Sequence, residues 1–364
     1  MDELKKLKIA IFYDWLNNWG GAERVLLNLL TLYPQAEIFT LVHDPSKTPW
    51  LPKNFKVHTS FLNNLPFAKN NPIFYTPLYN LAIEQFNFSA FDIVISTTTT
   101  VGHGLLTSPN SLFVCYFHNL NRYVYFTPGI YKILTPLLAI YKKIDQVLIH
   151  RPDAYFCNSQ TVAKRLQNIY LLDPIVINPG INLTSFTLPK TKPITNSYFL
   201  IVGRQVPHKR IDIAIECFKK KPSLKLIIAG SGRDHNRLEN LARYSQNIKF
   251  INQPTDSELV RLYQNASALI CPQFEDYGLT PIEAQACGTP VIAYGRGGNR
   301  ETTIPNKTAI YFYHQTANSL SLAINKFQNK HFDSHICQQN SLRFTDSAFM
   351  LNFSDHLQKL WTKK

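Results

Sequence analysis

Two series of short apolar runs, each interleaved with helix-like segments, constrain the fold of this chain more than anything else in it. The first series falls at residues 8–13, 38–42, 92–95, 112–116, 154–157 and 175–177. The second falls at 198–202, 224–229, 248–251, 268–270, 290–293 and 309–312. Near-continuous apolar runs bounded by turn residues read as parallel strands covered on both faces. Between the two series, residues 183–197 are rich in Thr, Pro, Lys and Asn and read as a linker. Strands alternating with helices in both halves imply an α/β fold of two doubly wound, Rossmann-like domains facing each other across a cleft. The expected boundaries are 1–185, 186–345, and a C-terminal helix at 346–364 that packs back onto the first domain.

The bulk numbers agree with such a fold. At 364 residues the chain suits two domains of about 150–200 residues. Hydrophobic residues make up 45% and charged residues 17%, which excludes a disordered chain. The six cysteines are scattered without a C-x-x-C pair, against a zinc ribbon or disulfide framework and for a reducing cytoplasm. No signal peptide is visible, and no apolar stretch reaches the ~20 residues of a membrane-spanning helix. The net charge of +14 suits nucleic acid, an anionic membrane or a phosphorylated substrate, or simply a soluble surface. No nucleic-acid-binding motif accompanies it, so a basic nucleic-acid-binding protein rests on charge alone.

The second half carries the densest chemistry. Glu275-Asp-Tyr-Gly278-Leu279-Thr280-Pro-Ile-Glu283 follows an expected strand and precedes an expected helix at 281–287, with Pro281 in its first turn. The N–H groups of Gly278, Leu279 and Thr280 then lie at a helix N-terminus, where a diphosphate binds well. The flanking carboxylates suit the hydroxyls of a sugar and a ribose; both also fit as helix-start or surface charges. Arg204 and Lys209 lie five apart across a turn after the first strand of this half and can converge on a diphosphate. They fit equally as a basic loop on a basic protein. Gly230-Ser-Gly232 follows the next strand as a phosphate-contacting or plain turn.

The ordered string Val-Gly-Arg204, His-Lys209-Arg, Ala-Gly230-Ser-Gly232, Pro-Gln-Phe-Glu275-Asp-Tyr-Gly278-Leu-Thr-Pro-Ile-Glu283 and Gly-Gly298-x-x-Glu301 resembles the retaining glycosyltransferase family 4, of GT-B fold. The resemblance covers the whole second half. It implies that Glu275 lies by the donor sugar, that Glu283 binds the nucleotide ribose, and that Arg204 and Lys209 bind the diphosphate. It also implies that no metal and no cofactor is used, the nucleotide sugar being a substrate.

In the first half, Gly20-Gly21-Ala-Glu23-Arg opens a helix after the first strand, as the family's donor-facing loop does. Tyr116-Phe-His118-Asn-Leu-Asn-Arg122 follows another strand. A histidine just past a strand end suits the cleft. The resemblance makes His118 the group that hydrogen-bonds the sugar, with Arg122 near the acceptor. These strings, with Ala-Gln-Ala-Cys-Gly-Thr-Pro-Val-Ile-Ala-Tyr-Gly, are similar to bacterial mannosyltransferases of the O-antigen type, which implies GDP-mannose as donor. His103 stands where those relatives carry a lysine, and Leu120-Asn121 where they carry Pro-Met; His103 is a candidate acceptor contact. A glycan or lipid-linked glycan acceptor is expected. The basic amphipathic stretch 128–151 reads either as a helix packed on its own domain or as a peripheral contact with an anionic membrane at the cytoplasmic face. The enzyme alternative is a UDP-sugar transferase or an epimerase of the same fold.

Overall fold

The computed structural model describes residues 4–125, 135–189 and 198–364. It divides into two compact units, Met1–Gly180 with Asp346–Lys364, and Ile181–Thr345. The first unit is built on strands β1 Ile9–Leu16, β2 Glu37–His43, β3 Val57–Thr59, β4 Ile93–Thr98, β5 Leu112–Phe117, β6 Ala154–Cys157 and β7 Ile175–Val176. They pair in parallel in the order β3-β2-β1-β4-β5-β6-β7. The second unit carries β8 Tyr198–Val202, β9 Leu226–Ala229, β10 Ile248–Ile251, β11 Ala266–Cys271, β12 Val291–Tyr294 and β13 Ala309–Phe312. Their order is β10-β9-β8-β11-β12-β13, again all parallel. Each sheet reverses its winding once, between β1 and β4 and between β8 and β11. Carboxyl-terminal strand ends at such a switch point are where ligands of doubly wound sheets bind.

Alternation along each first strand explains why both sheets are covered on two faces. Ile9, Ile11 and Tyr13 pack into one core with Leu26 and Leu29 of the helix Gly21–Leu32. Ala10 and Phe12 face the opposite core with Phe39 and Ile83. In the second unit Phe199 and Ile201 join one core while Leu200 joins the other.

Two strands run three residues past their expected ends. The first was expected to end at Tyr13 and the third long one at Ile95; they reach Leu16 and Thr98. Buried polar groups that satisfy one another replace apolar packing there. Asp14 accepts from Thr98 Oγ1 at 2.8 Å, from the Thr99 amide at 2.5 Å and from Thr99 Oγ1 at 3.0 Å. Burial raises the Asp14 carboxyl above its usual range, even against these hydrogen bonds. The edge strand β3 was not expected, because three residues carry too little pattern to register. The linker region falls partly on residues 190–197, which lie outside the described residues.

The helix Asp346–Trp361 closes the first unit. Phe349, Phe353 and Leu357, spaced four apart on one face, enter the core around β1. The Phe353 ring meets Phe156 edge-on at 5.3 Å. Asn28 donates to Asp346 Oδ1 at 2.7 Å, and Lys364 to Asp153 Oδ2 at 3.0 Å. Gly180 lets the chain pass: a Cβ there would stand 2.4 Å from the Asp346 Cα. Among the described residues, no helix is long and apolar enough to cross a membrane.

Phe353 is fully buried and Leu351 is half exposed on the same helix. Phe353→Ala is expected to lower the unfolding free energy of the first unit by about 3–5 kcal/mol. Leu351→Ala is expected to change it by no more than about 0.5 kcal/mol. Urea titration monitored by circular dichroism measures both; equal effects would show that the helix does not pack by this face.

Candidate active site

In the second unit the segment after β11 folds around Gly278. The helix begins at Leu279, two residues earlier than Pro281, and runs to Ala286. Gly278 is its N-cap at φ +100°, a left-handed conformation that favours glycine. The first-turn amides of Leu279 and Thr280 have no partner within the helix and point away from it. Pro281, third in the helix, has no N–H to leave unpaired.

Both glutamates of the segment are held by named partners. Glu275 Oε1 pairs with Lys209 Nζ and accepts from Gln273 Nε2 at 2.6 Å. Glu283 is buried, and its Oε2 accepts from the Tyr263 hydroxyl at 2.8 Å. Burial pushes that hydroxyl well above its usual range, and the adjacent Glu283 pushes it further, so Tyr263 stays a donor. Arg204 is exposed at the end of β8, and no described side chain is bonded to it. Lys209 closes a short turn, Pro207–Lys209, and Arg210 caps the next helix, Ile211–Lys219.

The glycines at 230 and 232 have a packing reason. A Cβ on Gly230 would stand 2.2 Å from the Gly203 carbonyl oxygen, and one on Gly232 2.3 Å from that of Gln205. Gln205 is buried between them: its amide donates to Ser231 O at 2.8 Å and its Nε2 to Gly230 O at 2.6 Å. The turn therefore sets the loop that carries Arg204. A second clamp holds Glu275. Gly298 N donates to Glu275 O at 2.8 Å, and a Cβ on Gly297 would stand 2.3 Å from that same oxygen. Asn299 Nδ2 donates to Gln273 O and Tyr294 O, both at 3.1 Å. Its Oδ1 is buried without a hydrogen-bond partner, 3.6 Å from where a Cβ on Gly278 would stand.

In the first unit, candidate residues gather at the carboxyl ends of β1, β4 and β5. Gly20 caps and Gly21 opens the helix Gly21–Leu32. That turn is anchored by the Tyr13 hydroxyl, which donates to Glu23 Oε1 at 2.7 Å. His118 stands one residue past β5. Its Nε2 shares a 2.6 Å hydrogen bond with Thr97 Oγ1, leaving Nδ1 as the nitrogen that can meet a ligand. Burial pushes the ring down to about 3, so it is neutral. Asn158 Nδ2 donates to His118 O at 2.9 Å and steadies the backbone there.

His103 is placed differently from the expectation. It is almost wholly buried, and its Nε2 meets Asp145 Oδ1 at 3.0 Å. Asp145 also accepts from the hydroxyls of Tyr125, at 2.6 Å, and Tyr170. Burial opposes ionisation of Asp145, but its bonds to His103, Tyr125 and Tyr170 outweigh it and hold the carboxyl below its usual range. His103 thus ties the turn after β4 to the helix Thr135–Leu148 and is not presented to an acceptor. Arg122 opens the short helix Arg122–Tyr125, and its side chain lies outside the described residues. So do residues 128–134 of the basic stretch.

Residues 19–185 match the family described as Glycosyltransferase Family 4, and residues 188–343 match Glycosyl transferases group 1. The chain thus carries two glycosyltransferase domains in succession. The D-inositol 3-phosphate glycosyltransferase of Mycolicibacterium smegmatis is 30% identical over 175 residues, covering 42% of this chain and 40% of that protein. The Mycobacterium leprae protein of that name is 28% identical over 174 residues, covering 42% of this chain and 41% of its own. The chain thus spans about 40% of the length of the curated relatives it matches. Sucrose-phosphate synthase from Thermosynechococcus elongatus superposes with a TM-score of 0.78 at 18% identity, over 98% of this chain and 100% of that one. Anabaena HepE in complex with UDP and glucose superposes with a TM-score of 0.70 at 16% identity, over 97% and 99%. At such identities these two structures speak for the fold alone.

Sequence reasoning gave no role to Asp14, Gln205, Tyr263 or Asn299. Each is buried and polar: Tyr263 orients Glu283, Gln205 and Asn299 hold the loops that carry Arg204 and Glu275, and Asp14 anchors the end of β4. The four consecutive threonines Thr97–Thr100 were the available signal for Asp14, since so many hydroxyls at a strand end need an acceptor.

The neutral state of His118 gives a pH test. Its folded-state value lies near 3 against an ordinary 6.5. The unfolded chain takes up a proton that the folded chain refuses. This stabilisation is therefore present above about pH 6.5 and lost as pH falls below it, by up to ~1.4 kcal/mol per pH unit. The stability of the parent chain relative to His118→Gln is expected to drop between about pH 7 and pH 5. Thermal unfolding across that range measures it; a flat difference would mean the ring is not buried and neutral.

Proposed function

We propose that this chain transfers a sugar from a nucleoside diphosphate sugar to a hydroxyl of a glycan or lipid-linked glycan, with retention of anomeric configuration. The observation that carries the reading is the turn at Gly278. There two unpaired helix-start amides sit in one segment with Glu275, whose carboxylate is paired with Lys209. Leu279 and Thr280 amides, Lys209 and Arg204 take the diphosphate and stabilise the charge that grows on it as the sugar leaves. Glu283, oriented by Tyr263, takes the ribose hydroxyls. Glu275 takes the sugar. In the first unit a neutral His118 can accept or donate a hydrogen bond at Nδ1 without carrying a charge. Gly20 and Gly21 leave a loop whose backbone can approach the phosphates closely.

GDP-mannose is the proposed donor, supported by the similarity of the Gly20–Arg24 and Gln285–Gly295 strings to bacterial mannosyltransferases. The UDP complexes of HepE keep a UDP-sugar as the second reading. Charge neutralisation by Arg204 and Lys209 lets the reaction proceed without a divalent ion. The proposed place of work is the cytoplasm.

Arg204→Ala and Glu283→Gln are each expected to lower turnover by about 10²-fold, the scale of losing one preorganised electrostatic contact. Glu283→Gln keeps an acceptor for Tyr263, so the fold is expected to survive. Radiolabelled transfer from GDP-mannose and from UDP-sugars, with and without EDTA, reads both turnover and donor. Near-normal turnover in both variants would overturn the site, and loss with EDTA restored by magnesium would overturn the metal-free reading.

A further inference from the structure

Gln205 fixes the loop after β8, and its side chain has a partner that the transfer reaction above does not use. The residue is wholly buried, and the two ends of its amide face different groups. Nε2 lies 2.6 Å from Gly230 O. A carbonyl only accepts, so the NH2 end must point there and Oε1 must point the other way. Oε1 lies 2.7 Å from Nδ1 of His235. An amide oxygen also only accepts, so Nδ1 must carry a proton. The contacts thus set the tautomer of His235 whatever its charge, because Nδ1–H is present in this neutral form and in the imidazolium alike.

The far side of the ring is less committed. Nε2 lies 3.4 Å from Asn252 Nδ2, which donates to a neutral ring, and 3.2 Å from Glu239 Oε1, which accepts from a charged one. Asn252 and Glu239 are both exposed and can turn to water, whereas Gln205 cannot. The ring also stands on a fixed base. His235 opens the helix His235–Ala242, and Phe250 meets its ring edge-on at 5.6 Å. The N-cap, Asp234, is held by Arg237 through bonds of 2.7 and 2.6 Å, and its amide donates to Gln205 O at 3.0 Å. Without the Nδ1–H donor, Oε1 of Gln205 would be left buried and unpaired, at the full cost of a desolvated acceptor. The amide could relieve that only by turning away from Gly230.

We propose that His235, held as its Nδ1–H tautomer, is a positioning residue that acts through Gln205 to set the loop presenting Arg204. Three bonds carry the effect: His235 Nδ1 to Gln205 Oε1, Gln205 Nε2 to Gly230 O, and the Gln205 amide to Ser231 O at 2.8 Å. Arg204 precedes Gln205 in the chain and is exposed, so its place follows the loop and not the packing of its own side chain. The step from the loop to diphosphate binding rests on the function proposed above; the step from His235 to the loop does not.

Nitrogen-15 NMR of the imidazole in the full chain reads the tautomer directly. Nδ1 is expected to stay protonated throughout, with Nε2 alone titrating; a neutral ring with its proton on Nε2 would overturn the proposal. Hydrogen exchange of the Gln205 and Asp234 amides reads the loop with no ligand present. His235→Leu is expected to speed it about five- to tenfold, the scale of one lost hydrogen bond. His235→Asn, whose Nδ2 can stand where Nδ1 stands, is expected to restore it. Exchange in His235→Leu equal to the parent's would also overturn the proposal. Calorimetric binding of GDP extends the test to Arg204. His235→Leu is expected to weaken binding about fivefold in the parent chain and not at all beside Arg204→Ala, as coupled residues do. A loss of the same size in both backgrounds would show that His235 does not act through Arg204. If exchange responds as expected while Arg204→Ala leaves GDP binding intact, the positioning of the loop stands and the diphosphate site is what fails.

Discussion

Main chain rests directly on main chain at three places in the second unit. Gly230 lies against Gly203, Gly232 against Gln205, and Gly297 with Gly298 against the Glu275–Tyr277 segment, each at distances where a Cβ would overlap an oxygen or a carbon. These contacts lock the loop after β8 to the loop after β9, and the loop after β11 to the loop after β12. Arg204 and Lys209 are carried by the first pair and Glu275 by the second. Each pair is set by backbone packing, which does not relax as a side chain does, and the Lys209–Glu275 ion pair joins the two. An electrostatic site gains from such rigidity, because charges already in place cost no reorganisation when the leaving group develops its own charge.

The first unit achieves the same end with hydrogen bonds. Asp14 gathers Thr98 and Thr99 at the switch point between β1 and β4. Thr97 takes Nε2 of His118, and Asn158 takes its carbonyl. Asp145 anchors the turn that holds His103. A buried network of this kind favours one arrangement only when every member is satisfied. Nearly all are; the buried Nδ1 of His103 is the exception among these groups.

Most strands were legible because parallel strands covered on both faces are almost purely apolar. β6, β8, β10 and β13 have the limits their apolar runs predict. Legibility failed where polar residues were buried. Asp14 and the threonine run at Thr97–Thr100 look like loop and are strand end and its anchor. His103 looks like a cleft histidine and is a core one, because a single sequence carries no sign that Asp145, 42 positions later, waits for it. Gly230 and Gly232 look like a phosphate turn, and their close approach is to the chain's own backbone. The Glu275–Glu283 segment was read correctly as the turn and helix start that follow a strand, with the helix beginning two residues earlier. What the sequence left hidden there is the pairing of Glu275 with Lys209, since the partners lie 66 positions apart.

That pairing is central to the account. Lys209 is held by Glu275, and in the proposed reaction a diphosphate would have to share or displace that partner. Calorimetric binding of GDP and of GMP to the chain and to Lys209→Gln measures this most directly. The account predicts that the parent chain binds the diphosphate at least about tenfold tighter than the monophosphate, and that Lys209→Gln abolishes the preference, as expected for losing a charge-assisted phosphate contact. Equal binding of mono- and diphosphate by the parent chain, for guanosine and uridine nucleotides alike, would contradict it.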